Sequence, residues 1–390
     1  MMKIEDKIKN IAFADAYIEG DLLYAVGLEQ NMMLEYNMKN SKTCLIGWLD
    51  ENIVPRGGYG NSNAIFRYEE SLFCFFMHFY GVSEFYLKQR KFKYYCPTNY
   101  SKEQICAVCR VGNEVWMFPK GEDKLVVVFS MKTKEYTRHR LDIEGMIDRH
   151  VVLDFESSIY VDGRIWRCIP GSSDLLCIDK EKKSGYVLKL GLKIQFQSMV
   201  YDKGFFNIFS IDGKHIIAFH VASGEVTIYE TGYSGIQEFP FIEVIRNKNY
   251  FLCIPCFEQK IVCYEIEGNE LRLVKYLKIP RAFRKIHDIE HRSLFLKWKK
   301  EKDKLLLFPF GGNGLLRIDL TTLDIAYQAI EFSEEIFLNR MLQIYPVYIE
   351  SEIKLKEYLE ATVYKLEMDL IENDRNLNRQ GQFIWNTLKS

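Results

Sequence analysis

Two cysteine pairs have the spacing of metal-binding thiols. Cys106 and Cys109 are separated by two residues, and so are Cys253 and Cys256. This spacing lets two thiolates reach one tetrahedral Zn²⁺ ion, and two such pairs would complete a four-thiolate site. The competing interpretation is that the cysteines are reduced thiols, packed in a core as small hydrophobic side chains.

Other residues with possible chemistry form weaker patterns. His287 and His291 are four residues apart, which would let them share an ion on a helix, but the segment precedes a predicted strand and contains no third ligand. The glycine-rich stretches 57–60 and 311–314 lack the Lys-Ser/Thr of a phosphate-binding loop. The sequence also lacks G-x-S-x-G, HExxH and a dinucleotide fingerprint. We therefore predict no metal site and no cofactor.

Composition restricts the class of protein and its partners. The chain has 390 residues, of which 48% are hydrophobic and 14% aromatic, enough apolar surface for a large β-rich core. Lysine plus arginine (52) nearly balances aspartate plus glutamate (53), so neither nucleic acid nor an anionic membrane is an expected partner. The first 20 residues do not resemble a secretory signal, and the apolar runs are strand-sized. We predict a cytoplasmic protein.

An internal repeat predicts the fold. The segment VWMFPKGEDKLVVVFSMKTKEY from Val115 alternates apolar runs with polar turns, and similar segments recur along the chain. In each copy the first apolar run ends at a landmark residue: Val26, Phe76, Pro119, Pro170, Ser210, Pro255 and Pro309. The spacing of these landmarks suits four short strands per unit. The run before each copy ends in a Gly, Asn or Lys turn, typical of a hairpin.

Seven copies predict an all-β fold, a β-propeller of about seven four-stranded blades. A single blade cannot bury both faces of its sheet, whereas blades stacked in a ring cover one another. Six or eight blades remain open, because ring closure often splits one blade between the chain ends. Helical repeats are disfavoured because the apolar runs are short, β-branched and aromatic.

The repeat alignment also bears on single residues. Cys253 and Cys263 align with Cys168 and Cys177 of another blade, which favours core packing over a metal or redox role. An acidic residue after the third strand is expected to accept hydrogen bonds from the following turn; it is Asp179, Glu265 or Asp319 in different blades.

The pattern changes near Ser333, and we divide the chain into a propeller (1–335) and a helical C-terminal tail or cap (336–390). Within 351–372 one apolar stripe runs along a predicted amphipathic helix, formed by Leu355, Leu359, Val363, Leu366 and Leu370. This helix either packs on the ring or docks a partner protein or a second copy.

The connections between successive blades meet at one mouth of the central channel and carry the candidate ligand-binding residues. Their polar side chains suit a peptide or a saccharide, and arginine suits a carboxylate or phosphate. The candidates are Arg56, Asn61, Asn63, Arg149, His150, Gln197, Glu238, His287, His291 and Arg292.

The blade pattern, from about Phe13 to Phe332, resembles the kelch- and WD-like β-propeller superfamily. The Gly-Gly doublet of kelch repeats and the Gly-His…Trp-Asp of WD40 repeats are missing, so the resemblance implies architecture only. We predict a non-enzymatic binding or scaffold protein that recognises a peptide or saccharide-like ligand at the channel mouth. The alternative is a propeller enzyme (lyase, epimerase or hydrolase) acting on a saccharide or modified peptide, with Arg149, His150, His287 and His291 as acid/base or anion-binding candidates.

Overall fold

The protein is a seven-bladed β-propeller in a computed structural model. The structure describes residues 13–27, 32–49, 62–77, 81–97, 104–145, 156–235, 240–256, 258, 260–280, 295–309 and 314–330. The predicted helical tail, 336–390, lies outside these residues and stays a prediction. Within the described part of the chain, no helix has the length and apolar character needed to cross a membrane.

Each blade is an antiparallel sheet of consecutive strands. Blade 1 contains β1 (Phe13–Glu19), β2 (Leu22–Gly27), β3 (Met32–Asn37) and β4 (Lys42–Trp48). Blade 2 contains β5 (Ser62–Tyr68), β6 (Ser71–Phe76), β7 (Val82–Tyr86) and β8 (Lys91–Tyr95). Blade 3 contains β9 (Ile105–Val111), β10 (Glu114–Pro119), β11 (Leu125–Ser130) and β12 (Tyr136–Arg140).

The next two blades continue the pattern, with one addition. A short strand, β13 (Asp142–Glu144), follows blade 3 and pairs in parallel with the outermost strand of blade 4. Blade 4 itself contains β14 (Ser157–Val161), β15 (Arg164–Cys168), β16 (Asp174–Asp179) and β17 (Ser184–Lys189). Blade 5 contains β18 (Phe196–Asp202), β19 (Phe205–Ser210), β20 (His215–His220) and β21 (Val226–Glu230).

The last two blades complete the ring. Blade 6 contains β22 (Phe241–Asn247), β23 (Tyr250–Pro255), β24 (Lys260–Glu267) and β25 (Glu270–Lys278). Blade 7 contains β26 (Phe295–Glu301), β27 (Lys304–Pro309), β28 (Gly314–Asp319) and β29 (Ile325–Ala329). Because all seven described sheets are formed by consecutive strands, ring closure does not split a blade.

A two-residue turn joins the first and second strands of every blade. Its first residue always has a positive φ, between 47° and 63°. Glycine fills this position in two blades, at Gly20 and Gly112, and glycine adopts such a φ at no steric cost. Lysine fills it in three others, at Lys203, Lys248 and Lys302. These turns confirm the predicted hairpins and fix the register between the two strands that each of them joins.

The turn after the third strand confirms part of the sequence prediction. Asp179 accepts hydrogen bonds from the amides of Glu181 and Lys182 in its turn, and Asp319 does the same for Thr321 and Thr322. The prediction for Glu265 is wrong, because this residue lies within the long strand β24. Its carboxylate forms a salt bridge with Arg272 on the neighbouring strand.

Seven hydrophobic clusters hold the ring together, one between each pair of neighbouring blades. The cluster between blades 7 and 1 includes Phe308 against Phe13, with ring centroids 6.3 Å apart. Hydrogen bonds cross the same junction from Tyr36 to the Ala329 carbonyl and from Gln328 to the Met38 carbonyl. The ring is therefore closed by packing between its first and last blades.

All ten cysteines are free thiols, and eight are buried. Cys263 pairs with Leu252 as Cys177 pairs with Trp166, which confirms that these two cysteines are equivalent. The predicted equivalence of Cys253 and Cys168 is wrong by one residue. The hairpin register matches Cys168 with Ile254, so Cys168 and Cys253 lie on opposite faces of their sheets.

Candidate functional site

A β-bulge marks the start of the innermost strand in six blades. The register shifts by one residue there, for example between Phe241 and Glu243 in β22 and between Phe295 and Lys297 in β26. The bulge changes the direction in which the next side chain points, close to the channel entrance. Hairpin register assigns one equivalent residue to each blade, in order: Asp15, Ala64, Ala107, Ser157, Ser198, Glu243 and Lys297.

Hydrogen bonds join three of these residues across blades 4, 5 and 6. The Met199 amide donates to Ser157 Oγ at 3.2 Å, and the Ser157 and Ser198 hydroxyls are 2.9 Å apart. Ser198 Oγ donates to Glu243 Oε1 at 2.7 Å. Since the amide can only donate and the carboxylate accepts, the chain of donors runs in one direction and ends on Glu243.

Blade 7 brings an indole and two ammonium groups to the same place. Trp298 Nε1 lies 3.4 Å from Glu243 Oε2, and Lys299 Nζ lies 2.8 Å from Asp15 Oδ1. Asp15 also accepts from the Ile65 amide of blade 2 at 3.1 Å. We name the seven side chains of this network the channel cluster: Asp15, Ser157, Ser198, Glu243, Lys297, Trp298 and Lys299.

Enclosure by the blades changes the acid–base properties of the cluster. Burial raises the pKa of Glu243 to about 7, although hydrogen bonds from Ser198 and Trp298 oppose the increase. Burial lowers the pKa of Lys297, and the positive charge of Lys299 acts in the same direction, whereas Asp15 and Glu243 oppose it. Both side chains are nevertheless only partly buried. Both shifts favour the neutral form of the side chain, because burial penalises the charged form.

Two of the seven equivalent positions are apolar. Blades 2 and 3 place Ala64 and Ala107 at the two remaining equivalent positions. An alanine fills less space there than the lysine or glutamate across the ring. The ring of equivalent positions is therefore polar over blades 4 to 7 and 1, and apolar over blades 2 and 3.

A second ionic group lies beside the cluster, inside the junction of blades 3 and 4. Arg167 is fully buried and donates to Glu156 Oε2 at 2.6 Å, and its guanidinium stacks 4.3 Å from the centre of the Phe118 ring. Asp123 lies 3.7 Å from Arg167 Nη1. Because solvent does not reach the guanidinium, we assign this pair a structural role. Among the described residues, no group of three or more His, Cys, Asp or Glu side chains is arranged to hold a metal ion.

The structure describes few of the predicted site residues. Gln197 lies in β18 at the bulge, nearly buried, and its Nε2 donates to the Phe241 carbonyl of blade 6 at 2.6 Å. Asn63 lies in β5, but the structure describes only its backbone. The other eight are outside the described residues and stay predictions: Arg56, Asn61, Arg149, His150, Glu238, His287, His291 and Arg292.

Sequence reasoning missed the channel cluster because it sought polar residues in connections rather than inside strands. A signal was present: four inner strands, β1, β18, β22 and β26, begin with phenylalanine, any residue and then a polar residue, in the order FAD, FQS, FIE and FLK. The phenylalanine anchors the strand, the second residue is bulged, and the third joins the ring of equivalent positions.

Comparison with known proteins supports the architecture alone. No protein family matches the sequence, and no curated protein matches it. Virginiamycin B lyase from Staphylococcus aureus, solved as an inactive variant with quinupristin, is similar in structure, with a TM-score of 0.56 and 9% identity over 78% of this chain and 94% of its own. The WD40 repeats of RRP9 give a TM-score of 0.50 and 7% identity over 76% of this chain and 87% of theirs.

A chain of the mitotic checkpoint complex is also similar, with a TM-score of 0.50 and 7% identity over 79% of this chain and 84% of its own. At such identities the similarity establishes the fold and nothing finer. The protein is a seven-bladed β-propeller, a fold that it shares with an enzyme, virginiamycin B lyase, and with a WD40 repeat domain.

Proposed function

We propose that this protein is a non-enzymatic binding or scaffold protein that recognises a peptide or saccharide-like ligand at the mouth of the propeller channel. The observation that carries the proposal is the channel cluster. Hydroxyl, carboxyl, ammonium and indole groups from five successive blades converge there, with Asp15 and Ser198 buried and the other members partly exposed. Concave sites with a few converging polar groups beside apolar walls are typical of ligand binding.

The structural relatives support the general kind of partner. One of them is part of the mitotic checkpoint complex and another is a WD40 repeat domain. A protein or peptide partner is therefore our first expectation, and a saccharide the second. A cytoplasmic location and docking of a partner through the predicted C-terminal helix remain parts of the proposal.

A binding screen tests the proposal. The full chain and its Lys297→Met variant are applied to a random peptide library and to a glycan array. Lys300→Met is the matched control, because Lys300 lies on the same strand but is exposed and outside the channel cluster. We expect ligands that Lys297→Met loses and Lys300→Met keeps. If neither array yields a ligand that depends on Lys297, the channel cluster is not the binding site.

An enzymatic function is the second candidate, favoured by the pKa of Glu243 near 7 beside an amine whose pKa is lowered. Such a pair is suited to general acid–base catalysis near neutral pH. Ligands from the screen are incubated with the protein and analysed by mass spectrometry. If the protein converts a ligand, and Glu243→Gln abolishes the conversion but not the binding, the protein is an enzyme. If the ligands are recovered unchanged, the scaffold function stands.

A further inference from the structure

We propose that the outer edge of blades 1 to 4 binds an acidic peptide segment of a partner protein, on the face of the ring away from the channel cluster. The inference goes beyond the proposed function, since it concerns a second surface that contains no side chain of that cluster. It follows from an uneven distribution of charge that the net charge of −1 conceals.

The turns between the third and fourth strands, which we call the outer turns, all lie at one face of the ring. Successive strands of a blade are antiparallel, so the outer turn and the turn between the first two strands lie at the same end of the sheet. The bulges that begin the innermost strands lie at the other end, beside the channel cluster. Because the fourth strand is the outermost, the outer turns follow the rim of this second face.

The outer turns of blades 1 to 4 are basic, and those of blades 5 to 7 are not. The basic turns, 38–41, 87–90, 131–135 and 180–183, read MKNS, LKQR, MKTKE and KEKK. They contain eight lysine or arginine residues and two glutamates. The other three, 221–225, 268–269 and 320–324, read VASGE, GN and LTTLD, with two acidic residues and no lysine or arginine. Charge is therefore segregated around the circumference of the ring.

Contacts between blades show that the four basic turns are neighbours. Arg90 of blade 2 pairs with Glu35 of blade 1, with Nη1 2.9 Å from Oε2. Lys134 Nζ of blade 3 lies 2.8 Å from Glu84 Oε1 of blade 2. Lys183 of blade 4 makes the corresponding contact with β12 of blade 3, where its Nζ lies 3.0 Å from a histidine nitrogen. These contacts place the turns side by side along the rim.

Five other lysines at these turns are exposed and have no ion pair among the described residues. Each lies in an outer turn or at the first residue of an outermost strand. We name them the basic rim: Lys39, Lys42, Lys91, Lys132 and Lys182. A row of ammonium groups of one sign creates a positive potential that attracts anions. The basic rim therefore suits a ligand with several negative charges in succession.

The surroundings favour an acidic peptide over an anionic membrane or a nucleic acid. On the same face, the turns between the first two strands of blades 1 and 2 carry Asp21, Glu69 and Glu70, which a flat anionic bilayer would also contact. All five members of the basic rim are lysines, whereas arginine is the side chain that pairs bidentately with phosphate and stacks on bases. An extended acidic peptide can follow the rim and avoid the acidic turns.

Fluorescence anisotropy with labelled probes and the full chain tests the inference. The probes are a peptide of Glu-Ser repeats, its Gln-Ser analogue and an oligothymidylate with as many negative charges as the acidic peptide. Sedimentation with vesicles of phosphatidylcholine and phosphatidylserine tests a membrane. We expect the acidic peptide to bind about 10-fold or more tightly than its neutral analogue, and more tightly than the oligothymidylate. Raising the salt concentration from about 50 to 200 mM should weaken this binding by about 10-fold, because the charges are exposed.

Variants then locate the site. Lys132→Gln combined with Lys182→Gln removes two neighbouring members of the basic rim. The matched control combines Lys248→Gln with Lys302→Gln, two exposed lysines on the same face but in the turns between the first two strands of blades 6 and 7. Since an exposed ion pair contributes little, we expect the rim variant to bind the acidic peptide about 3-fold to 10-fold more weakly and the control to change by less than about 2-fold.

The outcomes separate this surface from the channel cluster. Equal binding of the acidic and neutral peptides, or equal losses in the rim and control variants, overturns the inference. Tighter binding of the oligothymidylate or the vesicles than of the acidic peptide also overturns it and identifies a different polyanion. Binding of the acidic peptide that persists in Lys297→Met and falls in the rim variant supports the second surface, whichever ligand the channel cluster takes. The reverse pattern places the acidic peptide at the channel and refutes the basic rim as its site.

Discussion

Replacing Arg167 tests how the ion pair between blades 3 and 4 contributes to stability. Hairpin register places Arg167 where every other blade has a fully buried apolar or thiol side chain. The equivalent residues are Ala25, Cys74, Met117, Ile208, Cys253 and Leu307. Methionine occupies this position in blade 3, so Arg167→Met introduces a side chain that the fold already accepts there.

The expected magnitude follows from burial. Arg167 is fully buried, and Glu156, 2.6 Å away, is almost so. Loss of one member of such a pair leaves the other as a desolvated charge, which typically costs about 3–5 kcal/mol. Replacing both members with apolar or neutral groups of similar volume is often neutral. We therefore expect Arg167→Met to lose about 3 kcal/mol, and the double variant with Glu156→Gln to recover most of that loss.

Urea denaturation at pH 7, followed by tryptophan fluorescence, measures the free energy of unfolding of the wild type, both single variants and the double variant. Trp116 is buried in the apolar cluster between blades 3 and 4, so its emission reports on this junction. A loss below about 1 kcal/mol for Arg167→Met would refute the reasoning, because a buried pair with one member removed costs more than that. Additive losses in the double variant would equally refute the coupling.

Two further predictions concern single buried or enclosed polar groups. The pKa of Glu243, about 7, is above the ordinary value of 4.5, so the stability that its protonated form contributes is complete at low pH and is lost as pH rises through 7. We expect this loss to be about 1–2 kcal/mol, because the side chain is partly exposed to water. Melting curves from pH 4 to 9 measure it, and Glu243→Gln should flatten the pH dependence. Asn207 is fully buried, and neither amide atom has a hydrogen-bond partner among the described residues, whereas the equivalent residue of blade 6 is Leu252. Asn207→Leu should therefore raise the free energy of unfolding by about 1 kcal/mol in urea denaturation, and a loss of stability would indicate that the amide is satisfied by water.

The fold could be predicted because each blade repeats the same local requirements. Apolar runs such as Leu125–Ser130 need cover on both faces, and two-residue turns with positive φ fix the pairing of neighbouring strands. The register was harder to predict. The shared residues Cys-Ile-Pro of blades 4 and 6 suggested one alignment, but the hairpin turns impose another that differs by one residue.

The candidate site was not predicted, and the reason is geometric. Glu243 and Lys297 lie within strands whose alternation predicts one buried face, and the bulge that redirects them leaves no mark on composition. Only comparison of all inner strands reveals the recurring phenylalanine followed two residues later by a polar group. The pairing of Lys299 with Asp15 joins the first and last blades, so no local pattern contains it.

Blades made of consecutive strands have a consequence for the order of folding. Every hairpin within a blade is local in sequence, so each sheet can form as soon as its own segment is available. Contacts between blades 7 and 1, such as that from Tyr36 to Ala329, join residues 293 positions apart and carry the largest loop-closure entropy. We therefore expect the ring to assemble blade by blade and to close last at this junction, which is also where the two lysines of blade 7 meet Asp15.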